Sequence, residues 1–150
     1  YFRDKESLCA AVKEFIGRQE LDFLKSFLKE NSALGVEDFF KKIIRDLIEF
    51  RMKRPQLFIS IWGEVPRLGR LSDIAEVEKN AMTELGTYLE KYTANHPTQD
   101  KSLIPYLTVQ VIENTILKTM MYHEDRITNP AFTEELARMV VSYLSADSRY

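Results

Sequence analysis

At 150 residues, with 45% hydrophobic and 29% charged side chains, the chain is of a size and make-up for one globular domain with a sizeable core. Its 21 basic and 23 acidic residues leave a net charge of −2, a poor balance for holding nucleic-acid phosphates unaided, and five Gly and five Pro argue against an all-β or loop-rich fold. One cysteine, Cys9, excludes an internal disulfide and fits a reducing, cytoplasmic compartment, and no apolar run approaches the roughly 18 residues of a membrane span. The chain opens Tyr1-Phe2-Arg3-Asp4-Lys5-Glu6-Ser7-Leu8 without an initiator Met. It therefore reads as a piece cut from a larger protein.

The pattern is helical throughout. A first helix is predicted from Lys5 to about Lys29, capped by Asp4, with Glu6 placed to suit the helix dipole. Leu8, Ala11, Val12 and Phe15 share one face. Beyond Gly17 the apolar set widens, with Leu21, Leu24 and Leu28 on one side and Phe23 and Phe27 on another. Such a helix enters a core from outside it. A turn over Asn31 to Gly35 precedes a second helix bearing Phe39, Phe40, Ile43, Ile44, Leu47 and Phe50. Arg51, Lys53 and Arg54 suit its C-terminus, and Pro55 follows. A short third helix with Leu57, Phe58, Ile61, Trp62 and Val65 ends at Pro66, and a loop runs to Ser72.

The fourth helix is predicted from Asp73 to about Ala94, with Asp73 and Glu76 at capping-box spacing. Ile74, Val77, Ala81, Leu85, Tyr88, Leu89 and Tyr92 line one face. After a polar loop, the fifth helix runs from Leu103 to about His123 and carries two stripes. One holds Val109, Ile112, Ile116 and Met120; the other holds Leu103, Leu107, Gln110, Asn114, Leu117 and Met121; Thr108, Thr115 and Thr119 take the remaining side. The last helix starts at Asn129-Pro130 and places Phe132, Leu136, Met139, Val140, Tyr143 and Leu144 at helical spacing. Two-sided apolar helices at this end predict a homodimer through Leu107, Gln110, Asn114, Leu117, Met121, Phe132, Leu136, Met139, Val140 and Tyr143. The alternative is a monomer whose last helix docks on its own core.

No catalytic constellation is evident. His96 and His123 have no Cys or His at ligand spacing, no glycine-rich phosphate loop occurs, and Cys9 has no evident base. The acidic pairs Glu37-Asp38, Glu124-Asp125 and Glu134-Glu135 lie near helix ends, where acids suit the dipole better than general acid–base work. No metal or other cofactor is implied. Large side chains on different helices could instead frame a pocket: Phe23, Phe27, Phe58, Trp62, Met82, Leu85, Tyr88, Leu89, Ile112 and Ile116, each of which could equally fill a core. Glu113 interrupts the stripe of Val109, Ile112, Ile116 and Met120. A carboxylate there belongs either to a pocket wall or to a solvated rim.

The opening octapeptide, with the order of elements behind it, resembles the tetracycline-repressor (TetR) family of bacterial transcription regulators. In that family an aromatic pair ends the DNA-recognition helix, and a polar turn with Lys-Glu and a Leu begins the long helix into the regulatory domain. The resemblance implies an all-α domain of about six helices over residues 5–150 that binds a ligand and dimerises, its last two helices forming an intermolecular four-helix bundle. Residues 1–4 are then the end of a helix-turn-helix, with Tyr1, Phe2 and Lys5 a remnant of the DNA-binding unit. It further implies a small hydrophobic or aromatic effector, operator DNA held only through the absent N-terminal domain, no membrane partner, and a repressor released by its ligand. The family's penultimate helix often has Gly near its centre, where this chain has Asn114. The competing readings are a stand-alone helical carrier or protein-interaction module, and a small helical enzyme, which no residue constellation supports.

Overall fold

The computed structural model describes residues 4–64 and 72–147, with the backbone alone described for 62–64, 72–75, 77 and 78. Tyr1, Phe2 and the expected stop at Pro66 lie outside the described residues. Among the described residues seven helices follow in order: α1 (Lys5–Asn31), α2 (Val36–Met52), α3 (Pro55–Glu64), α4 (Ser72–Thr93), α5 (Leu103–Tyr122), α6 (Glu124–Ile127) and α7 (Pro130–Leu144). No strand occurs among the described residues.

Local chemistry sets the helix ends. The Asp4 carboxylate accepts from the Ser7 backbone N–H at 2.7 Å, satisfying one of the orphan donors of α1. Asn129 does the same for α7 through the Ala131 N–H at 3.0 Å, and Pro130 supplies a pre-set first residue. Lys101 caps the other kind of end, its Nζ donating to the carbonyls of His96 at 2.6 Å and Thr93 at 3.3 Å beyond α4. Between α1 and α2, the phenols of Tyr88 and Tyr92 both donate to the Leu34 carbonyl, at 3.3 and 3.4 Å, and so clamp the turn to α4.

α1 packs along α4, α2 along α7, and α5 touches α3, α4, α6 and α7. The core lies where these meet, around Phe39, Phe40, Ile44, Leu89, Ile104, Ile116 and Leu144. Phe39 is its centre. Its ring stacks on Tyr88 with centroids 3.9 Å apart and meets Phe27 and Phe40 edge-on, each at 5.2 Å.

Three expectations change. Ser72 is already helical, so Asp73 sits inside α4 instead of capping it. The four-residue α6 is an addition, too short for any hydrophobic period to announce it. The threonine side of α5 is inside the fold: Thr108 and Thr119 are both buried. Thr119 manages this by donating its hydroxyl to the Thr115 carbonyl at 2.6 Å, whereas the Thr108 hydroxyl has no partner among the described residues.

Candidate functional site

A cavity of about 210 Å³ lies between the middle of α1 and the middle of α5, with α2 and α4 closing it. α1 contributes Gly17, Glu20, Leu21, Phe23 and Leu24; α2 contributes Phe40, Ile43, Leu47 and Arg51. α4 gives Ala81 and Leu85, and α5 gives Val109, Gln110, Ile112, Glu113, Asn114 and Leu117. Most of the wall is hydrocarbon. The exception is a charged set that joins three helices.

Arg51 is 2% exposed, and its guanidinium reaches Glu20 through Nε at 3.1 Å and Nη2 at 3.0 Å. Nη2 also donates to the Glu113 carboxylate. The Phe58 ring lies 5.7 Å from the guanidinium carbon, a cation–π arrangement on its remaining side. One cation from α2 thus holds one carboxylate from α1 and one from α5. On the rim of the same wall, Asn114 donates to the Gln110 backbone carbonyl at 2.9 Å and to its side-chain oxygen at 3.1 Å.

The electrostatics follow from burial and from two acids sharing one base. Burial raises the Glu20 carboxyl, the facing Glu113 carboxylate adds to the rise, and Arg51 offsets only part, leaving it pushed up to about 7. For Arg51, burial works against the charge, but the two carboxylates outweigh it and the guanidinium stays protonated. The consequence for stability has a definite sign. The native carboxyl of Glu20 binds a proton more tightly than its ordinary value of 4.5 allows unfolded, so this residue's stabilisation is complete below about pH 4.5 and is lost as pH rises through about 7. Glu20→Gln keeps a neutral acceptor. Its stability relative to the parent, read from urea midpoints, increases from pH 5 to about pH 7 and levels off toward pH 8; a difference that stays flat over that range would contradict a buried, repelled carboxylate.

Of the residues proposed from sequence for a pocket, Phe23, Leu85, Ile112 and Glu113 line this cavity. Phe27, Phe58, Tyr88, Leu89 and Ile116 are buried in the core and do not line it. Met82 lies instead in a shallower, open groove between α4 and the start of α5, with Lys79, Gly86 and Tyr106. Trp62 belongs to α3, but its side chain is outside those described. The cavity also contains Glu20, Arg51, Leu21, Leu24 and Gly17, which sequence reasoning left out. A signal for Arg51 existed: it continues the apolar stripe of Phe40, Ile44 and Leu47 at i+4, i+3 and i+4, where a solvated helix-end cation would not fall.

The proposed dimer residues divide. Leu107 and Asn114 are exposed on α5, Met139 is 63% exposed on α7, and Gln110, Leu117, Met121, Phe132 and Tyr143 are half-buried. Leu136 and Val140 turn inward and are buried within this chain's own core, on the helix that packs along α2. Exposed Leu103, Tyr106 and Val111 extend the apolar surface of α5. Lys5 is exposed at the first turn of α1.

Among the described residues no His, Cys, Asp and Glu cluster could hold a metal ion, and no helix is long and apolar enough to cross a membrane. No curated protein and no solved structure matches the chain. Residues 36–144, from the first residue of α2 to the last of α7, match the family model described as the tetracyclin repressor-like C-terminal domain, and the chain belongs to that family.

Proposed function

We propose that the chain is the effector-sensing and dimerisation part of a cytoplasmic, DNA-binding transcription regulator. Its operator is read by a helix-turn-helix joined ahead of α1, and residues 1–4 belong to the end of that unit. The regulator is a repressor that leaves DNA when a small hydrophobic or aromatic molecule fills the cavity. One observation carries the reading: a largely apolar cavity sits between α1 and α5 in a chain of this family, and its polar set ties both helices to α2. A molecule in that space touches the helix that leads toward the proposed DNA reader. It acts only to the extent that it binds one placement of α1 better than another.

The expected result is a rise in melting temperature with members of a panel of small hydrophobic and aromatic compounds. A compound at a hundred times its Kd adds about 2.7 kcal/mol to the folded state. Leu24→Trp, which places an indole in the cavity, abolishes the shift. Shifts that persist unchanged in that variant put the effector site elsewhere.

Dimerisation is assigned to the outer faces of α5 and α7, with Leu107 and Met139 as its exposed apolar members, Met121, Phe132 and Tyr143 around them, and Gln110, Asn114 and Leu117, which also line the cavity, at its border with the pocket. Exposed apolar surface on two adjoining helices supports that assignment. In sedimentation equilibrium the chain runs as a dimer, and Leu107→Asp with Met139→Asp converts it to a folded monomer. A parent chain that is monomeric at high micromolar concentration would refute the assignment.

A further inference from the structure

Among the described residues the cavity holds more negative than positive charge, and that imbalance discriminates among ligands. Glu20 and Glu113 face a single guanidinium, Arg51, which is already engaged with both. Among the described lining residues these three are the only ionisable groups; α4 presents only Ala81 and Leu85. With both acids ionised the set carries a charge of −1 against mostly hydrocarbon walls. Glu113 is the open member, since 36% of its side chain remains accessible while Arg51 is sealed.

Three kinds of small apolar ligand can be compared on these facts. A carboxylate must displace Glu20 or Glu113 to reach Arg51, and it adds a second excess negative charge to a site of low polarity. A neutral molecule gains the apolar walls but leaves the excess charge uncompensated. An ammonium gains the same walls and supplies the missing counter-charge beside Glu113. Space is sufficient, because an apolar cavity of about 150 Å³ accepts a benzene ring and this one measures about 210 Å³.

Building on the proposed effector role of this cavity, we infer that its ligand is a small aromatic or aliphatic amine, bound as the cation, with its ammonium on Glu113 and its apolar body against Phe23, Leu24 and Leu85. A cation placed there also acts on Glu20, whose carboxyl burial and Glu113 have pushed up to about 7. It favours the ionised form, so binding expels a proton near neutral pH, and affinity rises with pH while the amine remains protonated.

Calorimetric titration of the chain with 2-phenylethylamine, 2-phenylethanol and 3-phenylpropionate, at pH 6 and pH 8, tests this. The amine binds at least about tenfold more tightly than the alcohol, and the acid most weakly. The amine alone gains affinity, several-fold, between pH 6 and pH 8. Glu113→Gln brings the amine down to the alcohol's affinity and leaves the alcohol unchanged, which also establishes that the cavity is intact. Should that variant not fold, Glu20→Gln serves: it leaves Arg51 and Glu113 balanced, so it both reduces the preference for the amine over the alcohol and removes the pH dependence. If the alcohol or the acid binds as tightly as the amine, the charge inference fails and the effector role of the cavity stands. If none of the three binds, both fall.

Discussion

Arg51→Met lowers the unfolding free energy by about 3–5 kcal/mol, a loss that melting curves should show as roughly 10 °C for a domain of this size. The methionine replaces most of the buried stem, so lost packing is a small part of the effect. The large part is electrostatic. Removing the guanidinium leaves Glu20 and Glu113 facing each other without a counter-charge, one of them nearly buried. Because Glu20 can take up a proton near neutrality, the damage is smaller at pH 5 than at pH 8. The control is the triple variant Glu20→Gln, Arg51→Met, Glu113→Gln, in which the uncompensated charges are gone and most of the stability returns. An Arg51→Met protein within about 1 kcal/mol of the parent at pH 8 would show that the three groups are solvated and do not form a buried set.

The second large effect is Phe39→Ala. Phe39 is fully buried and contacts three other rings, so its deletion removes both transfer energy and ring–ring contacts and leaves a hole in the middle of the core. The expected cost is about 3–5 kcal/mol, measured from urea unfolding with unchanged m. Phe39→Leu, which refills much of the space, costs roughly half as much. Phe15→Ala provides the contrast. Phe15 is 61% exposed on the same kind of amphipathic helix, and its loss is worth no more than about 0.5 kcal/mol. Equal losses at Phe39 and Phe15 would overturn the placement of the core.

These two residues also mark what could be read without coordinates. Phe39 was legible because a broad stripe on α2 repeats over about three turns, and any packing of that helix must bury it. The helices as a whole were legible for the same reason, aided by Asp4, Pro55 and Asn129-Pro130 at their ends. Arg51 reads in the sequence as a helix-end cation, because its position near the C-terminus of α2 offers a sufficient local explanation. Its partners, 31 and 62 positions away on α1 and α5, are brought to it only by the tertiary fold. Glu113 could be flagged, since it interrupts an apolar stripe, but Glu20 sits among residues of mixed polarity and gave no such signal. Phe27, Tyr88 and Ile116 show the opposite limit. Periodicity says that a side chain turns inward, and it does not say whether the space beyond is filled. On α5 the burial of Thr119 is silent in the sequence because a threonine that bonds to its own helix is as compatible with a core as valine, an account that does not extend to Thr108, whose hydroxyl has no partner among the described residues.

The clamp of Tyr88 and Tyr92 on Leu34 has a mechanical meaning for α1. It holds the turn just past the C-terminal end of a helix of 27 residues, about 40 Å long, and on the proposed function that end is the pivot. Glu20 lies about 17 Å along the shaft from Asn31, and Lys5 about 39 Å along it. On the proposed function the helix is a lever loaded near its middle. A sideways push of about 1 Å at the cavity, swung about the clamped end, arrives at Lys5 as about 2.4 Å by the ratio of those arms.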